Sequence, residues 1–326
     1  MKTSVKVFLS LGIGLFVLGI VVAGVGFAMA KGDFSQIFSA AEQIEGTRDF
    51  SGEDVTDLVI ANDYNDISIV PSADEDIHIT YYEAEKDDYT FTVADGTLTI
   101  AAAEKEWWRH IGVFHFQAKT MVIEVPESLF SVSVDVAASA LSMADITIEG
   151  NLVIDTDAGA VTLSRVDAKN LSVDASAGSV IFNDVTTGKI EISANAGRVD
   201  FNDVAAGYAS VRTDAGKVDW QNVAITEIAI ESAAGAVLLD TVTVGAASIE
   251  TDAGKIEFSK LAVNEGLTLS SDFGSIRGTL FGDLSDFTIT SQVDAGESNL
   301  PTFYQGGDKS LDVSANAGSI EIEFLK

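Results

Sequence analysis

Apolar residues in the second half of the chain keep a fixed register. Leu152, Leu171, Ile190, Ala209, Ile228 and Ala247 stand 19 residues apart. So do Ile154, Val173, Ile192, Val211, Ile230 and Ile249. Two further rows share the period: Val161, Val180, Val199, Val218, Val237, Ile256, and Leu163, Phe182, Phe201, Trp220, Leu239, Phe258. Within a unit these positions alternate with polar ones, the period of a strand with one face buried. The residue types are β-branched or aromatic, as strands prefer.

Between the two strands of each unit lies a glycine. Gly159, Gly178, Gly197, Gly216, Gly235 and Gly254 are 19 apart, and Gly274, Gly296 and Gly318 continue at 20, 22 and 22. A repeat of this length marks a solenoid in which each unit is one coil. The glycines are expected at a corner, supplying positive φ, with Asp or Asn two residues earlier bonding the turn backbone. A second polar corner follows at Asn183-Asp184, Asn202-Asp203 and Gln221-Asn222. The expected fold is all-β: a parallel β-solenoid, right-handed, of about 19 residues per coil, preceded by a transmembrane helix. Nine coils stacked in chain order would make a rod of about 40–45 Å.

The register reaches back to Ser139 and to Asn65, each in a glycine slot. Asn65 is expected there because asparagine tolerates the left-handed region. Residues 74–126 alternate irregularly and read as a hairpin-bearing cap over the first coil, since terminal repeats are usually atypical. The organisation is therefore 1–31, cytoplasmic tip and transmembrane anchor; 32–50, juxtamembrane segment; 51–130, irregular β cap and first coil; 131–326, solenoid repeats.

Val7 to Ala30 is an uncharged run long enough to cross a bilayer. Lys2 and Lys6 before it place the amino terminus in the cytoplasm and the body on the extracytoplasmic side of a cell membrane. Ala28-Met29-Ala30 resembles a signal-peptidase site, but a signal peptide's apolar core is about 7–15 residues, so an uncleaved anchor is expected.

Charge narrows the partners. The net charge is −31, and the first 31 residues contain no acid. Nucleic acid is an unfavourable partner for such a body; cationic molecules suit it. Cysteine is absent, which excludes disulfides and thiolate metal sites, and the three histidines leave little scope for a metal cluster. No cofactor is expected. The column Asp157, Asp214, Asp252, Asp272 and Asp294 reads as turn residues rather than calcium ligands, because Ser176, Asn195 and Ala233 interrupt it. Short corners leave no cleft for polysaccharide cleavage.

Asn62-Asp63-Tyr64-Asn65-Asp66-Ile67-Ser68-Ile69, Gly96-Thr97-Leu98-Thr99-Ile100, Val122-Ile123-Glu124-Val125-Pro126 and the repeated Asp-Ala-Gly corners resemble the bacterial "putative adhesin" family of β-strand-repeat domains. The resemblance covers roughly residues 50–326. It implies a surface location, and for some members an association with envelope stress; its motifs are structural and imply no activity.

The most irregular cluster is Trp107, Trp108, Arg109 and His110, followed by Phe114, His115 and Phe116. Tryptophan and arginine are common at binding hot spots. These residues are the candidate binding site; packing of the cap on the first coil is the competing role. The expected function is a non-enzymatic, membrane-anchored scaffold or sensor accessory that contacts envelope proteins, wall polymer or cationic peptides. The alternatives are an adhesin for host or neighbouring cells and a polysaccharide-active enzyme.

Overall fold

The computed structural model describes residues 43–62, 65–83, 89–103 and 119–326. The transmembrane and juxtamembrane readings up to residue 42, and the Trp107, Trp108, Arg109, His110 cluster, lie outside the described residues. From Ile44 onward, the described residues fall in one unit, Ile44–Ala103 with Lys119–Lys326. Its strands join a single sheet system, and among the described residues its only helical turns are the short Gly52–Asp54 and Leu284–Asp286. Among the described residues no helix is long and apolar enough to cross a membrane.

Leu141–Phe273 runs as near-continuous extended chain bent into coils, each resting on the one 19 or 20 residues before. The alternation is the cause. Leu152, Ile154, Val161, Leu163 and Val166 are each no more than 1 % exposed, and their counterparts in later coils are buried too. A coil thus has three sides. The first holds Leu152 and Ile154, the second Val161 and Leu163, and the third Val166 and Ala168. Like side chains stack on like: Phe182 and Phe201 lie 4.9 Å apart at 15°, Phe201 and Trp220 4.6 Å apart at 5°. An inner row of small residues fills the taper at the glycine corner, where Thr213 donates to Ser232 at 3.0 Å.

The corners divide their chemistry differently from the expectation. Positive φ of 52–60° falls at the second corner, on Asp145, Arg165, Asp184, Asp203, Asn222, Thr241 and Lys260. At the first corner only Gly178, Gly197, Gly235 and Gly296 have positive φ, at 149–154°. What demands glycine there is closeness. A Cβ on Gly197 would lie 1.7 Å from the Gly178 carbonyl oxygen, and the same holds up the column. Asn65 is buried and donates from Nδ2 to Tyr82 O at 2.8 Å and to Tyr89 Oη at 2.9 Å.

Stacking order also departs from chain order, at both ends. Asp57–Asn62 pairs in parallel with Thr97–Ala102 on one edge and Ser131–Val136 on the other. Asp66–Pro71 likewise lies between Thr120–Val125 and the start of Leu141–Phe273. The first coil is therefore an inner layer. At the other end Lys309–Ala317 lies between residues 266–273 and Phe287–Ala295, which forms the outermost layer. Antiparallel strands close both ends: Tyr89–Ala94 on Thr97–Ala102, Ile77–Glu83 on Thr120–Val125, Ile44–Phe50 on Ile77–Glu83, and Phe303–Tyr304 on Phe287–Ala295. At about 4.8 Å per layer the body is roughly 50 Å long, more than nine repeats in chain order imply. Phe50, Tyr81, Tyr89 and Phe91 plug the amino-terminal end, with the Arg48 guanidinium 5.7 Å from the Tyr81 ring centre and 5.6 Å from that of Phe91.

Candidate functional site

The solenoid's outer surface consists of columns, because each outward position repeats every coil. One runs Asp135, Asp155, Asp174 and, further on, Arg212, Glu231 and Glu250. Burial, then Asp135, Asp174 and Asp157 beside it, push the Asp155 carboxyl up. Arg212 breaks the column's charge by a two-pronged bond to Glu231, Nε–Oε2 2.9 Å and Nη2–Oε1 3.1 Å. Between corners, bases sit two residues before acids and pair with them: Lys189 with Glu191, Arg198 with Asp200, Lys217 with Asp219, Lys255 with Glu257. Most bases on these sides are thereby spent, and the acids exceed them.

The nine glycines Gly159, Gly178, Gly197, Gly216, Gly235, Gly254, Gly274, Gly296 and Gly318 form one edge, in the spatial order that places Gly318 between Gly274 and Gly296. The aspartates beside them are exposed. Asn316 donates to Asp272 at 2.6 Å and Gln292 to Asp294 at 3.2 Å, amide contacts that suit a turn. Among the described residues no group of three or more His, Cys, Asp or Glu is placed to hold a metal ion.

A cleft of about 1100 Å³ opens near the amino-terminal end. Among the described residues Glu53, Asp74, Glu75, Glu127 and Glu149 line it and no basic residue does; Phe130 supplies exposed apolar surface, with Val55 and Leu129 buried behind it. His78 braces one wall. Its Nδ1 lies 2.8 Å from Asp49 and its Nε2 3.0 Å from Asp74. Hydrogen bonds to Asp49 and Asp74 raise its pKa to about 9, while Asp74 is lowered by the Asp76 backbone N–H, His78 and Ser72.

Sequence reading missed this cleft, although a signal was present. Seven and nine residues after the corner, regular coils carry buried pairs such as Ile146 and Ile148 or Val166 and Ala168. After Asn65 those slots hold Ser72 and Asp74. The first coil has no apolar residues for a third side, and the chain leaves the stack there.

These features define a β-solenoid whose repeat is spent on stacking and whose surface is acidic. A family model described as Toastrack DUF4097 matches residues 55–202 and 178–323, and the chain belongs to that family. Solved structures are similar at low identity. A "putative adhesin" from Parabacteroides distasonis is 14% identical, with TM-score 0.46, covering 86% of this chain and 98% of that one. A second, from Parabacteroides merdae, is 15% identical, with TM-score 0.45, covering 86% and 96%. A "putative lipid binding protein" from Parabacteroides distasonis is 12% identical, with TM-score 0.40, covering 86% and 97%. A search of curated proteins finds no match.

Proposed function

We propose that this protein is a non-enzymatic interaction module of the bacterial cell envelope. Its solenoid is right-handed, as parallel crossovers almost always are. The uncharged segment Val7–Ala30 anchors it in the cell membrane, with the body outside. The observation that carries the reading is the surface: regular acidic sides joined by short corners, the form of a contact face rather than a reaction chamber. Trp107, Trp108, Arg109 and His110 contribute a second, aromatic contact region.

Two measurements test it. Protease added to wall-stripped cells should digest the body and spare the amino terminus; a secreted species beginning at Lys31 would overturn the anchor. Crosslinking in intact cells should then join the body to envelope components of the same cell, and a joint Trp107→Ala, Trp108→Ala change should weaken it with little effect on the melting midpoint. Adducts only with host or neighbouring cells would favour an adhesin instead.

A further inference from the structure

The stack is one strand short on its third side. The first and second sides continue past the Asp57–Pro71 coil to Thr97–Ala102 and Thr120–Val125. On the third side Ser128–Leu129 pairs in parallel with Thr147–Ile148. Among the described residues, no strand pairs with its other edge. The coil that would supply one turns away after Pro71 into the antiparallel strand Ile77–Glu83. The acidic cleft occupies the place left vacant.

Its walls are tied to one another by hydrogen bonds and close packing. Gly52 N–H donates to Asp76 at 3.1 Å, and a Cβ there would lie 1.7 Å from the Glu75 carbonyl oxygen. Phe130 N–H donates to Thr56 O at 2.8 Å. A site already open gives up little freedom when it is filled. An unpaired strand edge is a template for another strand, with main-chain bonds giving affinity and alternate side chains giving selectivity. Here the selectivity is legible. Five carboxylates, with no base among the described lining residues, favour a basic segment. Phe130, 58 % exposed, suits apolar residues alternating with the basic ones. A second copy of this chain, at net charge −31, is repelled.

We propose that the cleft receives an extended basic segment of a partner protein, added as a β-strand on the open edge of Ser128–Leu129, which completes the third side of that layer. This rests on the interaction reading above and names its site and the partner's chemistry.

The test uses the full chain and a synthetic peptide of alternating lysine and valine, with fluorescence anisotropy as readout. The peptide should bind. The same peptide with its inward amides N-methylated keeps its charge but cannot pair, and should bind about tenfold more weakly or worse. A Glu53→Gln, Glu127→Gln, Glu149→Gln variant should lose about tenfold with its melting midpoint unchanged. No binding, equal binding of the methylated peptide, or indifference to the three changes overturns the proposal. In intact cells a photocrosslinker replacing Phe130 should capture a partner protein. Adducts only with this chain itself, or only with free basic peptides, overturn the assignment. A second crosslinker replacing the exposed Val153 separates the two readings. Adducts at 153 without adducts at 130 remove the cleft and leave the interaction module standing; adducts at neither remove both.

Discussion

One added methyl group at Gly197 meets the Gly178 carbonyl oxygen at 1.7 Å, backbone against backbone, so neither side can yield. Gly188, on another edge, is looser: its Cβ would lie 2.8 Å from the Lys169 oxygen. Gly197→Ala should therefore cost about 3–5 kcal/mol and Gly188→Ala about 1–2 kcal/mol, compared by chemical denaturation. Equal costs would mean that closeness does not select glycine in the column. The opposite change is available at the second corner. Thr241 holds φ 56°, a costly conformation for a β-branched residue, where its neighbour one coil earlier is Asn222. Thr241→Asn should stabilise by about 1 kcal/mol and raise the melting midpoint. The repeat was legible in sequence because alternation and period leave a mark on every coil. Which corner bends left-handed was not, because Arg165, Thr241 and Lys260 carry no turn signature. The carbonyl above each glycine belongs to another coil, so no local pattern reports it.

Among the described residues, Ile44–Phe50 pairs on one side only and is largely exposed. His78 ties it, through Asp49, to the Asp74 wall of the cleft. Its folded pKa of about 9 stands above the ordinary 6.5. The tie is thus fully present below about pH 6.5 and is lost as pH rises through about 9. Hydrogen exchange in residues 44–50, corrected for its intrinsic pH dependence, should quicken between about pH 8 and 10 in the native chain. In His78→Gln it should already be quick at pH 7 and show no such step. A step that survives the change would assign the loosening to another group. The hairpin cap was anticipated from the irregular spacing of residues 74–126. Its pairing was not, because antiparallel return strands such as Ile77–Glu83 alternate just as parallel ones do.

For the molecule as a whole, the inverted layers fix where length can change. Both ends of the stack are closed by segments that fold back over a neighbour: the coil of Asp57–Pro71 at one end and the strand Lys309–Ala317 at the other are enclosed on both sides. A unit appended after Lys326 meets the Phe287–Ala295 layer already seated where it would have to go. A duplicate of residues 178–196 meets no such obstacle, since every coil there has the same corners and core as its neighbours. The insertion should fold and lengthen the particle by about 5 Å in small-angle scattering, whereas the appended unit should be trimmed away by protease. Such a protein grows as a zip fastener does when links are let into its middle, with both end stops carried outward unchanged.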